Sequence, residues 1–295
     1  MTTTTGDARA KRLALRKILA RPAMTVMPGG FSPVYARMCE DVGFECFFAS
    51  GAQMSGFLLG VRDDGIIGIR DVADHVRHIA SHTSIPILAD ADTGFGNVTN
   101  VRYAVSELIG SGVAGMQIED QEWPKAPAPG RRSVPLEEMV DKIRVAIETR
   151  NALDETFVIA ARTDHLDTDG GTFEQTLERC LAFAQAGADL VWLSSPRNRE
   201  QIRTVCREVP VPVLVLWGGP GPTEPAPSIE EYAELGARIA LFGTVASTAG
   251  LQGAWEFLND FRERGTMALA DFTSRANAGR WGRADLRTFT AERKP

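Results

Sequence analysis

Eight times along the chain a short apolar segment gives way to a polar loop and then to a stretch with helical periodicity. The apolar segments lie at 23–27, 46–49, 85–89, 115–118, 157–161, 190–193, 213–217 and 238–242. Each reads as a buried strand, and each following stretch reads as a helix. Eight such units in 295 residues predict an α/β fold, a (β/α)8 TIM barrel occupying 1–295 as one domain. The runner-up is a doubly wound open sheet, but no Gly-x-Gly-x-x-Gly follows the first strand. Thr172-x-x-Gln175 and Ser228-x-x-Glu231 predict capping boxes at helix starts. Val-Gly at 42–43, Ala-Gly-Ala at 186–188 and Leu-Gly-Ala at 235–237 predict helix ends. Beyond about Gly265 the chain continues as helix, with Trp281 and Phe289. Residues 266–295 are therefore read as a C-terminal helical extension, more than a barrel needs.

Composition removes several classes of function. With 44% hydrophobic and 24% charged residues the chain has an ordinary soluble composition and enough apolar residues for a full core. A net charge of -6 leaves no electrostatic footprint for nucleic acid. Residues 1–16 contain neither an apolar h-region nor a cleavage site, so no signal peptide is expected. No apolar run approaches the roughly eighteen residues of a membrane helix. Cys39, Cys46, Cys180 and Cys206 are scattered, which suits buried reduced thiols and a cytoplasmic location rather than disulfides or zinc.

In a barrel of this kind the chemistry lies at the C-terminal strand ends. Those ends read Ser50-Gly51-Ala52, Asp90-Ala91-Asp92, Glu119-Asp120-Gln121, Arg162-Thr163-Asp164-His165, Ser194-Ser195 and Trp217-Gly218-Gly219. Residues two apart on a strand point to one side, so Asp90 and Asp92 are expected to converge. Two like charges that close call for a divalent cation, Mg2+ or Mn2+ given hard oxygen donors. Asp90, Asp92 and Glu119 are the expected metal residues, and Arg162 makes the site a metal-and-anion pocket. Arg162 also admits a structural salt-bridge reading. His165 is weighed as a base and read as a loop residue. His75, His78 and His82 are read as a helix face away from the acids. Two loops stand out: 123–135, Pro-rich, read as a lid carrying Lys125 and the Arg131-Arg132 pair; and the Gly/Pro-rich 218–227.

These motifs resemble the isocitrate lyase and phosphoenolpyruvate mutase superfamily, from about Arg21 to the C-terminus. The carriers are Ser50-Gly51-Ala52, Gly60-Val61-Arg62-Asp63, Asp90-Ala91-Asp92-Thr93-Gly94-Phe95-Gly96-Asn97, Ile118-Glu119-Asp120-Gln121, Pro124-Lys125 and Ala161-Arg162-Thr163-Asp164. The resemblance implies Mg2+ bound with a 2-oxo acid or enolate. Asp90 would ligate the metal directly, with Asp63, Asp92 and Glu119 holding it largely through waters. The backbone at Ser50, Gly51 and Ala52 would receive the substrate carboxylate, assisted by Arg162, with Ser194 nearby. It also implies a homotetramer whose last helix is exchanged with a neighbour. The departures are informative. Related lyases carry Lys-Lys/Arg-Cys-Gly-His on the lid and a glutamate after strand six; here Lys125 stands without the cysteine and histidine, and Ser194 replaces the glutamate. The mutases carry Lys-Thr-Asn and His-Ser, which this chain lacks as well.

A metal platform without a dedicated acid still stabilises an enolate. The expected activity is C–C cleavage, by decarboxylation or a retro-aldol or retro-Claisen step, of a small 2-oxo or 2-hydroxy dicarboxylic acid. Lys125, Arg162, Glu119 and Asp63 are the expected catalytic residues, with Glu119, Asp164 and His165 the candidate bases. Two alternatives stand beside it: phosphonopyruvate or phosphoenolpyruvate mutase or hydrolase chemistry, and a non-catalytic barrel that binds an oxo acid.

Overall fold

The computed structural model describes residues 5–125, 130–218, 223–282 and 284–290. Its strands are β1 (Thr25–Gly30), β2 (Phe47–Ala49), β3 (Ile87–Asp90), β4 (Gly115–Glu119), β5 (Val158–Thr163), β6 (Leu190–Ser194), β7 (Val213–Leu216) and β8 (Ile239–Phe242). They pair in chain order, all parallel, and β8 closes on β1. Between them run α2 (Pro33–Val42), a short α3 (Gly51–Met54) continuing as a π-helical turn at Ser55–Leu59, α4 (Ile69–Ser81), α5 (Val98–Ser111), α6 (Leu136–Leu153), α7 (Phe173–Gln185), α8 (Arg199–Glu208) and α9 (Ile229–Glu234). This is the expected TIM barrel, and all eight apolar segments overlap observed strands.

Alternation along the strands sorts the core into two layers. Met27, Phe48, Leu88, Ala160, Trp192 and Leu214 belong to the cluster that fills the barrel. The intervening Ala49, Ala89, Ile159 and Val191 pack outward with Val76, Val105, Ile143 and Phe183 of the helices. Helix starts and stops follow local chemistry: the Thr172 and Ser228 hydroxyls accept from the Gln175 and Glu231 amides, and Gly43, Gly187 and Gly236 take left-handed φ at helix exits.

An N-terminal helix, α1 (Thr5–Ala20), has a role that periodicity did not reveal. Its Leu15, Ile18 and Leu19 join the barrel-filling cluster and close the amino-terminal mouth. Its basic residues donate to carbonyls in the last turns of neighbouring helices: Lys11 Nζ to Ala80 O at 2.7 Å, and Arg12 to Ile109 O at 2.6 Å. The charged strand-end residues lie at the opposite, carboxyl end of the barrel.

Two boundaries differ from the sequence reading. The first strand was expected at 23–27 but runs over Thr25–Gly30, with Gly29 at a close backbone approach. A Cβ at Gly29 would lie 2.5 Å from Gly243 O and 2.7 Å from Gly243 Cα, so β1 meets the end of β8 backbone to backbone. Among the described residues the C-terminal extension holds two helices rather than one: after α10 (Val245–Arg264) come α11 (Thr266–Ala278) and α12 (Leu286–Thr290), and α12 contacts α2. Leu251, Trp255, Leu258, Met267, Leu269 and Phe272 leave an exposed apolar surface on α10 and α11. Among the described residues no helix is long and apolar enough to cross a membrane.

The close approach at Gly29 has a measurable consequence. Gly29→Ala should lower unfolding free energy by about 2–3 kcal/mol in urea denaturation. Gly56→Ala, where a Cβ meets nothing within 4 Å, should be neutral or slightly stabilising. Equal effects at both positions would mean that backbone contact does not fix the glycine.

Candidate active site

Asp90 ends β3 and is buried. Its Oδ2 accepts the Gly51 amide at 2.9 Å and its Oδ1 accepts the Asp92 amide at 3.0 Å. A Cβ on Gly51 would stand 3.0 Å from Asp90 Oδ2, so glycine lets the α3 backbone reach the carboxylate. Ser50 and Gly51 are therefore at the site, but the Gly51 amide is engaged by Asp90 and the Ser50 hydroxyl accepts from the Gln53 amide at 3.4 Å. Ala52 is exposed.

Asp92 reaches the site by a different route from the strand alternation expected of it. It lies beyond β3 with φ 51°, a left-handed conformation that Asp tolerates better than most residues. The turn aims its carboxylate at Lys125. Lys125 Nζ stands 3.0 Å from Asp63 Oδ2, 3.1 Å from Asp92 Oδ2 and 3.3 Å from Glu119 Oε1, with its side chain 7% exposed. Lys125 is thus an interior residue. Burial opposes its charge, but Glu119, Asp92 and Asp63 overcome it and raise its pKa well above the ordinary value. Trp123, two residues earlier, donates from Nε1 to Gly65 O at 3.0 Å, tying the lid to the loop that carries Asp63. Residues 126–129 of the lid and 219–222 of the second loop lie outside the described residues.

Glu119 ends β4 at the centre of a buried network. It accepts from Gln117 Nε2 at 3.2 Å and Gln121 Nε2 at 2.9 Å, and pairs with Arg162 Nη1 at 3.1 Å. Residues 117, 119 and 121 are two apart and share the inward face. That spacing was visible in the sequence, but the two glutamines went unread because they do not titrate. Burial pushes the Glu119 pKa up to about 8, although Arg162 and Lys125 pull the other way. Asp164 shifts in the opposite direction. Burial opposes its charge, but Arg162, with Nη2 at 2.8 Å from Oδ1, and the Ser194 hydroxyl hold it below its ordinary value. Two neighbouring carboxyls with diverging proton affinities are suited to acid and base roles.

Arg162 therefore bridges Glu119 and Asp164, and it stacks over the Trp192 ring at 4.8 Å. The structural salt-bridge reading is realised, on residues that also line the site. Trp192 was missed; it lies two residues before Ser194 on β6 and floors the site, edge-on to Phe48 at 5.1 Å. Asp120 faces the other way, accepting from Thr163 Oγ1 at 2.8 Å and the Asp164 amide at 2.9 Å. His165 lies within hydrogen-bond distance of Ser133 Oγ and Gln175 Oε1, both at 3.1 Å, and stands away from the acids, so it is removed from the candidate bases. His75 faces Phe31 O, and His78 and His82 stay on the outer face at the end of α4. Arg132 pairs with Glu122 at 2.9 Å on the surface, whereas Arg131 turns inward toward Asp167.

Five carboxyl groups, Asp63, Asp90, Asp92, Glu119 and Asp164, thus surround two cations, Lys125 and Arg162. The donor set fits a hard divalent cation: the oxygens are carboxylate oxygens, negative charge is in excess, and Asp63 Oδ1 is buried with no hydrogen-bond partner. Among the described residues, no three His, Cys, Asp or Glu side chains form a ready metal cage. Asp90, Asp92 and Glu119 meet around Lys125 and backbone amides, not as a closed ligand triad. Mg2+, which keeps several waters, requires no such cage.

A closed parallel barrel with buried acids and a lysine of the β4 loop at its carboxyl end defines the class as an α/β barrel with an anionic pocket at the carboxyl ends of its strands. The family model described as phosphoenolpyruvate phosphomutase matches residues 15–259. The chain is 38% identical over 265 residues to a probable 2-methylisocitrate lyase 2 of Corynebacterium glutamicum, covering 83% of each. It is 34% identical over 259 residues to the 2,3-dimethylmalate lyase of Eubacterium barkeri, covering 86% of this chain and 88% of that one. A solved phosphonopyruvate hydrolase complexed with oxalate and Mg2+ superimposes with a TM-score of 0.77 at 28% identity, covering 92% of this chain and 99% of that chain. The chain belongs to the phosphoenolpyruvate phosphomutase family, within the phosphoenolpyruvate mutase/isocitrate lyase superfamily.

The bridge made by Arg162 can be tested directly. Arg162→Lys keeps the charge but not the fork that spans two carboxylates. It should cost about 2 kcal/mol or more in urea denaturation. An unchanged unfolding midpoint would mean that the bridge contributes nothing to the fold.

Proposed function

We propose that the protein is a divalent-metal-dependent carbon–carbon lyase acting on a small 2-oxo or 2-hydroxy dicarboxylic acid through an enolate. The observation that carries this reading is the ring of Asp63, Asp92 and Glu119 around Lys125, beside Asp90 and Arg162. Asp90 would hold Mg2+ or Mn2+ directly, with Asp63, Asp92 and Glu119 holding it through waters. When bound, the metal would supply Lewis acidity at the oxo oxygen. Ser50, Gly51 and Ala52 would lie along the substrate carboxylate, and Arg162 would keep Glu119 and Asp164 in place beside it. Lys125 brings a buried positive charge to where enolate charge develops.

Proton handling follows from the diverging carboxyls. Decarboxylation releases neutral CO2, and solvent returns a proton to carbon. Cleavage of a 2-hydroxy acid requires a group that takes the hydroxyl proton; Glu119, with its pKa drawn toward neutrality, is placed to hold it. Cysteine chemistry is not part of this reading. Cys39, Cys46 and Cys180 are buried, and burial pushes the Cys39 thiol up to about 11 and the Cys46 thiol up to about 12. Phosphonate chemistry ranks second, because Arg132 is spent on Glu122 at the surface and only Arg131 of the lid pair turns inward. The exposed apolar surface of α10 and α11 supports assembly as a homotetramer with C-terminal helices exchanged or packed between subunits. Four free cysteines support a cytoplasmic setting.

EDTA should abolish CO2 or pyruvate release from oxaloacetate and substituted malates, and Mg2+ should restore it. Asp90→Asn should bind oxalate in the presence of Mg2+ at least about tenfold more weakly by calorimetry. Turnover that survives EDTA, or unaltered oxalate binding in the variant, would overturn the metal assignment. Turnover of phosphonopyruvate alone, followed by phosphorus NMR, would move the reading to P–C chemistry.

A further inference from the structure

Beside the acid cluster, the loops after β4, β5 and β6 bring a second set of charges together. Asp167, in the single 3-10 turn that follows Asp164, has a side chain only 3% exposed. Arg197, on the loop after β6, reaches Asp167 Oδ1 with Nη2 at 2.8 Å and donates to Leu166 O at 2.8 Å. Arg131, from the lid, stands on the other side, with Nη1 3.9 Å from Asp167 Oδ2. Ser195 takes φ 52° just before Pro196, and this left-handed step turns the chain so that Arg197 faces back toward β5.

The two guanidinium groups are incompletely used. Arg131 Nε and Arg197 Nη1 are buried and have no hydrogen-bond partner. A buried N–H without an acceptor costs about 1–3 kcal/mol, more when it carries charge. Asp167 lies between the two arginines with its Oδ1 also lacking a hydrogen-bond partner, Arg131 acts on Asp164 as well, and 3.9 Å is too long for a hydrogen bond from Arg131 to Asp167. The pair therefore has unused donors to offer one more anionic group. Its place is fixed relative to the main site: the Asp167 amide donates to Asp164 O at 2.9 Å, and Asp164 is the partner of Arg162. One 3-10 turn separates the two, roughly 6 Å of chain, comparable to the reach of a four- or five-carbon dicarboxylate.

We propose that Arg131 and Arg197, straddling Asp167, form the subsite that receives the remote carboxylate of the substrate. This rests on the reading of the Asp90–Arg162 site as an oxo-acid platform. The lid would then respond to substrate through Arg131, and selection for a dicarboxylate would come from two loops outside the acid cluster.

The test is calorimetry with Mg2+ and five probes: oxalate; malate and 2-hydroxybutyrate, in which a methyl group replaces the remote carboxylate of malate; and phosphonopyruvate and pyruvate. Wild type should prefer malate to 2-hydroxybutyrate by about tenfold to a hundredfold, the worth of hydrogen bonds to a charged group. Arg197→Gln should erase that preference and leave oxalate affinity unchanged. Should Arg197→Gln fail to fold, Asp167→Asn decides the matter: releasing both arginines should tighten malate binding without affecting oxalate. The subsite is overturned if wild type shows no malate preference, if the preference survives in Arg197→Gln, or if Asp167→Asn leaves malate binding unchanged or weaker. A preference for phosphonopyruvate over pyruvate without one for malate overturns the carboxylate assignment. Failure of wild type to bind oxalate with Mg2+ is a failure of the platform reading, and the malate comparison still judges the subsite.

Discussion

One ammonium group lies among three carboxylates at the mouth of this barrel, and much of the site's arrangement follows from it. Lys125 arrives on a loop, yet its side chain is as buried as that of Asp92. Taking several like charges out of water is strongly unfavourable unless something neutralises them. The lysine supplies one positive charge and Arg162 another. Burial, with the neighbouring carboxylates adding to it, raises the proton affinities of Asp90 and Glu119. A site so biased favours any ligand that brings positive charge, and a divalent cation does so with the least volume.

The barrel explains how these groups meet. Parallel strands place residues from β3, β4, β5 and β6 at one level, and α1 closes the opposite mouth with Leu15, Ile18 and Leu19. Trp192 forms the floor against Phe48 and supports the flat face of Arg162. The lid is anchored at its base by the Gln121–Ser133 bridge and at Trp123 by Gly65. Ser194, at the end of β6, bonds Asp164 and helps keep it ionised.

The fold was legible because covered strands and amphipathic helices leave different periodicities, and eight alternations admit few architectures. What escaped was set by contacts between distant residues. The first strand runs on through Gly29, whose backbone lies against Gly243. Asp92 points inward through a left-handed backbone that alternation does not encode. The site was legible where titratable residues fell at strand ends: Asp90, Glu119, Arg162 and Asp164 all stand there, and Lys125 entered from the loop assigned to it. Gln117, Gln121 and Trp192 carry no charge and drew no notice, although their two-residue spacing from Glu119 and Ser194 marked the same inward face. His165 was a weaker case from the outset, and its contacts with Ser133 and Gln175 remove it.

The central claim is that Lys125 and a divalent cation draw on the same carboxylates. Calorimetric titration of Mg2+ into wild type and into Lys125→Met, without substrate, tests this most directly. Removing a positive charge about 3 Å from the shared oxygens should tighten Mg2+ binding by at least about tenfold. Equal or weaker Mg2+ affinity in Lys125→Met would show that the lysine and the metal do not share a site, and would contradict the account.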